Sequence, residues 1–258
     1  MMFFAPIDVE EIINHLHADT ATLRVCSLVC RAWLLPCWYH LFTEVNLPWN
    51  PREVEALVEY LESEPDNYIL PFLHHVSFYN VQKEYSLYPL FDLLSMLKQW
   101  APVLKSFCFK RYHLRFDDLE YYFPLNELTQ LDINKCTFES SDDLMDLFSA
   151  LPCIVKLIVD RVSFQLRDRV PPNRDVILLP KLCSLEVYTG MVEIILPLLA
   201  PALALQEAKF CIYNPGELSL IGEFLGDAAP HLDILSLGYV GWYGENNIST
   251  GVIMSCQN

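Results

Sequence analysis

The sequence predicts an α/β fold: a small N-terminal helical bundle followed by a solenoid with a parallel sheet and outer helices. Two observations carry that prediction. From residue 73 onward an apolar residue recurs at offsets zero, three and five, seven times, with start-to-start gaps of 31, 24, 26, 28, 23 and 27 residues. Self-similarity at this spacing marks stacked strand-plus-helix units. Ahead of it, residues 5 to 42 carry apolar groups at helical rather than strand spacing.

In that N-terminal stretch Asp8 can cap a first helix, with Glu11 at the spacing of a capping box. Val9, Ile12, Ile13 and Leu16 form its apolar face. His17-Ala18-Asp19 breaks the helix, and Asp19 is a cap for a second. There Leu23, Cys26, Cys30 and Trp33 fall at steps of three, four and three and share a stripe, while Leu28 and Val29 point elsewhere. Pro36 should stop this helix at about residue 35, since proline disfavours helical geometry in the residue before it. A segment of about forty residues is too small for a full core. Part of its apolar surface must therefore meet something else.

Residues 46 to 51 read as a connector in which Asn50 caps and Pro51 opens a helix to about Glu62. Val54, Leu57, Val58 and Leu61 share one of its faces. The repeated triads follow: Leu73-Val76-Phe78, Leu104-Phe107-Phe109, Leu128-Leu131-Ile133, Ile154-Leu157-Val159, Leu182-Leu185-Val187, Leu205-Ala208-Phe210 and Leu232-Leu235-Leu237. Helix-like stretches lie between them at Leu90 to Leu97, Ser141 to Leu151, Val192 to Leu199 and Leu218 to Leu225, with a weaker one at Asp117 to Tyr122. After Gly238 the chain turns glycine- and asparagine-rich. Either Val252-Ile253-Met254 closes the array, or the chain is shorter than such arrays usually are.

With 53% hydrophobic and 13% aromatic residues among 258, the chain can bury a sizeable core and is not disordered. Its longest apolar runs fall short of the roughly twenty residues of a membrane span, and the N-terminus lacks the basic region of a signal peptide. The expectation is a soluble protein, cytoplasmic or nuclear or both. Nine cysteines without a Cys-x-x-Cys pair read as reduced thiols. A net charge of -16 argues against nucleic acid as a partner.

Residue chemistry points away from catalysis. There is no glycine-rich phosphate loop and no Gly-x-Ser-x-Gly elbow. The pairs His15/His17 and His74/His75 lack the further ligands a metal would need. Asp117-Asp118 and Asp142-Asp143 stand at helix starts, where acids already suit the helix dipole. Cys30 with His40 is explained by helix packing. No cofactor, no metal and no enzymatic activity are expected.

The run Pro6-Ile7-x-x-Glu10-Glu11-Ile12-Ile13, then Thr22-Leu23-x-x-Cys26-Ser27-Leu28-Val29-Cys30-Arg31-x-Trp33, then His40-Leu41-Phe42, resembles an F-box of the kind abundant in mushroom-forming fungi. The resemblance covers roughly residues 5 to 42, and the F-box domain is drawn at residues 5 to 45. Residues 46 to 68 are then a linker with its amphipathic helix, and 69 to 258 a substrate-recognition domain. The resemblance implies docking on a Skp-family adaptor, and through it a cullin ubiquitin ligase, by Pro6, Ile7, Ile12, Leu16, Leu23, Cys26, Val29, Cys30 and Trp33. The repeats are similar to the irregular leucine-rich repeats found downstream of F-boxes, Leu128 to Cys136 being the best match.

Strand geometry puts offsets two, four and six on the face away from the core. That face would present His75, Ser77, Tyr79, Lys110, Gln130, Asp132, Asn134, Lys156, Asp160, Glu186, Tyr188, Glu207 and Lys209 to a protein substrate. The polar and tyrosine-bearing mixture suits protein recognition. The alternative is a non-catalytic scaffold whose N-terminal helices only cap the array.

Overall fold

The structure, a computed structural model, describes residues 9–48, 51–63, 70–79, 97, 103–111, 113–114, 127–165, 179–188, 190–199, 204–228, 231–240, 248–249 and 253–255. The helix-like stretch at Asp117 to Tyr122, and all but Leu97 of that at Leu90 to Leu97, lie outside these residues.

Helices α1 (Val9–His15), α2 (Thr20–Cys26) and α3 (Arg31–Phe42) pack around Ile13, Leu23, Cys26 and Cys37, with Val9, Leu16, Trp33 and Leu41 against them. Asp19 caps α2 as expected, accepting from the Thr22 N–H at 3.0 Å and its hydroxyl at 2.6 Å. The single helix expected from Asp19 to residue 35 is instead two. The Ser27 hydroxyl donates to the Arg24 carbonyl at 2.7 Å, a local bond that competes with helix continuation. Nor does Pro36 end a helix: it lies inside α3. Because α3 starts only at Arg31, the missing N–H there costs one backbone bond, to the carbonyl of Ala32.

The stretch read as the end of the bundle and its connector contains a strand, β1 (Glu44–Pro48), so the boundary drawn between residues 45 and 46 runs through it. The physical reason is an eighth copy of the repeat pattern, Phe42-Val45-Leu47, hidden because Phe42 also closes the helical segment. Thr43 joins α3 to β1, and its carbonyl accepts from the N–H groups of His74 and His75 at 3.1 and 2.9 Å. Helix α4 (Pro51–Ser63) follows. Its Val54 is buried, and Leu57 and Val58 pack against the sheet core.

A large parallel sheet runs β1, β2 (His75–Tyr79), β3 (Ser106–Lys110), β5 (Gln130–Asn134), β7 (Lys156–Asp160), β9 (Ser184–Tyr188), β10 (Glu207–Ile212) and β11 (Ile234–Val240). Its register follows the sequence pattern. Offset three of each unit stands opposite offset three of the next: Val76, Phe107, Leu131, Leu157, Leu185, Ala208 and Leu235. Offset five repeats this from Phe78 to Leu237. β1 adds Val45 and Leu47 to the two rows. A one-residue slip anywhere would turn a row out of the core, which is what fixes the register.

Helices α5 (Ser141–Ser149), α6 (Val192–Ile195) and α7 (Glu217–Ala228) bury Leu144, Leu147, Phe148, Val192, Ile195, Ile221, Phe224 and Leu225 in the same core. α5 carries a full capping box, Ser140 accepting from the Asp143 N–H while Asp143 accepts from the Ser140 N–H. Ser140→Ala should cost about 1 kcal/mol, read as a lowered urea midpoint with an unchanged slope. At the far edge β12 (Ile248–Ser249) and β13 (Ile253–Ser255) run antiparallel on β11. Ile253 and Met254 thus cover the last parallel strand, the first of the two endings considered above.

A second small parallel sheet joins β4 (His113–Leu114), β6 (Thr137–Phe138) and β8 (Ser163–Phe164). It is reached through Arg111, Lys135 and Arg161, all with positive φ (61°, 55° and 51°). Buried Cys136 ties the two sheets, its thiol donating to the Phe109 carbonyl at 3.4 Å.

Candidate interaction surfaces

Two surfaces stand out, one on the N-terminal helices and one on the open face of the sheet. On the helices, the residues expected to dock an adaptor divide. Leu23 and Cys26 are buried in the bundle, and Leu16 and Trp33 are partly buried against it. Of the expected stripe Leu23, Cys26, Cys30 and Trp33, all but Cys30 face the bundle interior. Ile12, Val29 and Cys30 are exposed. Pro6 and Ile7 lie outside the described residues.

The exposed hydrocarbon lies where α2 turns into α3. Leu28 is 86% exposed, Val25 67% and Val29 61%, with Leu35 and Tyr39 also open on α3. The turn is held by Leu28 N–H on the Val25 carbonyl and Val29 N–H on the Cys26 carbonyl, each at 3.1 Å, so both side chains are fixed outward. The sequence signal for this patch was the pair left over from the apolar stripe. Beside it, a hollow of about 330 Å³ is lined by Glu10, Asn14, Leu35, Pro36, Tyr39, His40 and Phe72. His40 Nε2 donates a hydrogen bond to Asn14 Oδ1 at 2.8 Å. Burial, and then the neighbouring His17, hold its imidazole below the usual range.

On the sheet, the candidate substrate residues are brought together on one face, but several are occupied with one another. His75 Nδ1 lies 2.6 Å from the Ser106 hydroxyl, and burial pushes its imidazole pKa down. Ser77, Ser106 and Asp160 are buried, so they line the floor of the face rather than its surface. Cys108, also on this face, is buried with its thiol pKa pushed up to about 12, chiefly by burial and then by Asp132.

Further along, Glu186 gathers Lys156 at 2.8 Å, Lys209 at 3.8 Å and the Tyr188 hydroxyl at 2.5 Å. Burial alone would raise its pKa, but the hydrogen bonds from Lys156 and Tyr188 and the two lysine charges hold it below the ordinary value. Lys209 also sits over the Tyr188 ring at 5.3 Å. The Ser184 hydroxyl donates to Glu207 at 3.3 Å. Asn134 and Arg161 donate to the same Asp160 oxygen at 3.2 and 3.0 Å. Tyr79 lies under the Arg111 guanidinium at 5.2 Å.

Asp132 is the poorly served carboxylate whose pKa is shifted by burial. Asp132 Oδ1 is buried with no hydrogen-bond partner among the described residues. Burial raises its pKa above the ordinary 3.8, against the lowering effects of Cys108, Lys110 and His75. A raised folded-state pKa means that this group favours folding while protonated, below its ordinary pKa, and loses that contribution as pH rises through the folded value. Asp132→Asn stays neutral throughout. The expected result is a melting temperature above the parent's at about pH 7, with the gap closing as pH falls into the carboxylate range.

Among the described residues no group of three or more His, Cys, Asp and Glu side chains could hold a metal ion, and no helix is long and apolar enough to cross a membrane. No family model and no curated protein matches the sequence. Among solved structures, the crystal structure of a structural-genomics target protein from Bacteroides fragilis is similar over 76% of this chain at 13% identity, with a TM-score of 0.37. The match covers 51% of that protein's chain, so this one spans about half its length. A likeness that slight carries no argument about function.

Proposed function

We propose that this chain is a non-catalytic, substrate-recruiting F-box subunit of a Skp/cullin ubiquitin ligase, working in the cytoplasm or nucleus. Its N-terminal helices dock the adaptor, and its leucine-rich-repeat-like array presents the open sheet face to a protein substrate. The observation that carries this reading is the exposed cluster Val25, Leu28 and Val29 beside a bundle that already fills its own core. Solvent-facing hydrocarbon fixed outward by a tight turn suits a partner's groove. The segment also carries the resemblance quoted above. The implied mechanism is proximity: holding a substrate lysine near a ubiquitin-charged enzyme raises its effective concentration.

The scaffold alternative draws support from the junction, where Tyr39 packs edge-on against Phe72 and His74 with ring centroids 6.4 and 6.3 Å apart. A cap would make such contacts too, but it has no use for Leu28 in solvent. A pull-down of the purified chain with a fungal Skp-family adaptor tests the choice. Capture of the adaptor supports recruitment, and a folded chain that captures none leaves the scaffold.

A further inference from the structure

The repeat puts a thiol and an amine side by side. Cys153 and Lys181 each stand one residue before the first apolar position of their units, Ile154 and Leu182. Continuing the register Lys156↔Ser184 of β7 and β9 back by three residues sets Cys153 opposite Lys181. The Val155 carbonyl accepts from the N–H groups of Cys183 and Ser184 at 2.8 and 3.0 Å, which holds the two strand entries against each other. In that setting the Lys181 side-chain nitrogen donates to the Cys153 sulfur at 3.3 Å.

A small oxidant can reach this pair. Lys181 is exposed and Cys153 half-buried, whereas Cys26, Cys37, Cys108, Cys136 and Cys211 are buried, and a thiol buried among apolar groups is inert. Cys30 and Cys183 are open to solvent in whole or part. Cys183 turns its thiol back onto the Lys181 carbonyl at 3.3 Å, and Cys30 lies on the helical bundle. Cys153 is set apart by the amine on its sulfur. A thiolate attacks one oxygen of a peroxide and displaces the other as hydroxide. The neighbouring ammonium hands a proton to that leaving group, so water departs and a neutral amine stands beside a sulfenic acid. The amine then attacks the sulfur and expels the sulfenic oxygen, which leaves as a second water with a proton from the nitrogen.

We infer that Cys153 and Lys181 form an oxidative modification site for a peroxide, closing to a covalent sulfur–nitrogen clasp between the units of β7 and β9. The peroxide is reduced to two waters. The thiol and the amine lose one hydrogen each, and the two electrons come from the sulfur. The clasp joins residues 28 apart in the chain and pins two neighbouring units at their strand entries. It does not depend on whether the N-terminal helices engage an adaptor.

The test treats the full-length chain with hydrogen peroxide and maps its proteolytic peptides by mass spectrometry. The expected product is the Cys153 peptide joined to the Lys181 peptide, lighter than their sum by two hydrogens and released again by dithiothreitol. Lys181→Met keeps an unbranched side chain without the nitrogen, and circular dichroism checks its fold. It should abolish the link and slow the loss of the free Cys153 thiol roughly tenfold. Cys183→Ser should leave the link intact. Oxidation of Cys153 in the parent without the link overturns the inference, as does a Cys153–Cys183 disulfide in its place. Earlier oxidation of Cys30 or Cys183, or an equally fast loss of the Cys153 thiol in the folded Lys181→Met variant, does so too. Adaptor capture is measured on the reduced chain, so neither outcome decides the other.

Discussion

Leu28→Asp together with Val29→Asp should weaken capture of a Skp-family adaptor by roughly a hundredfold or more while leaving the melting temperature almost unchanged. Both side chains are largely in solvent, at 86% and 61% exposure, so the fold loses little when they become polar, within about 0.5 kcal/mol. In a bound state each would bury hydrocarbon worth about 1.5–3 kcal/mol, and a buried aspartate would add a desolvation cost. Two such losses exceed the roughly 2.8 kcal/mol that a hundredfold change requires. Isothermal titration of the variant against the parent reads the effect. Undiminished binding by the folded variant would move the adaptor surface elsewhere. Leu23→Asp is the wrong probe, because Leu23 is fully buried and its replacement disrupts the bundle itself.

The largest loss of stability is expected from Phe107→Ala, at about 3–5 kcal/mol. Phe107 has no exposure, and its ring centroid lies 5.0 Å from that of Phe78 and 4.8 Å from that of Phe109. Truncation therefore empties a space shared by two strands and removes aromatic pairing worth roughly another 1 kcal/mol per pair. Its row neighbours Val76 and Leu131 are held by the register of β2 and β5 and cannot shift in to fill the gap without breaking that register. Urea unfolding of the variant reads the cost directly. A loss below about 1 kcal/mol would mean that the neighbouring helices collapse onto the site.

Much of the sheet was legible because offsets three and five are set by the two-residue strand period and by burial, which sequence records residue by residue. The in-phase triads predicted which residues would face one another across seven strands. β1 was missed because Phe42 serves two patterns at once, ending a helix and starting a unit. The break between α2 and α3 was missed because a serine hydroxyl bonding back to Arg24 leaves no mark on apolar spacing. Nor does apolar spacing separate a partner face from a bundle's own core: Leu23, Cys26 and Trp33 are apolar and periodic, and Leu23 and Cys26 are buried within the bundle with Trp33 packed against them. Leu28 lacked periodicity and was set aside for that reason. On the open face, composition suggested polar recognition, but only coordinates reveal that Glu186 satisfies two lysines and a tyrosine while Asp132 is left short. The left-handed cations carry no local sequence signal, since Arg and Lys are not turn residues.

Pairing by units also governs how the chain can assemble. Partners in adjacent strands are never far apart along the sequence: 23 residues from Ser184 to Glu207 and 31 from His75 to Ser106 bracket the parallel pairs. Closing a loop of that size costs nearly the same entropy whichever pair forms, because the cost grows only as the logarithm of loop length. Assembly therefore has no privileged starting point and needs no contact between distant ends. Each strand added offers the next one a finished template. Fraying should run inward from the two edges under native-state hydrogen exchange, with β5 and β7 the last to open.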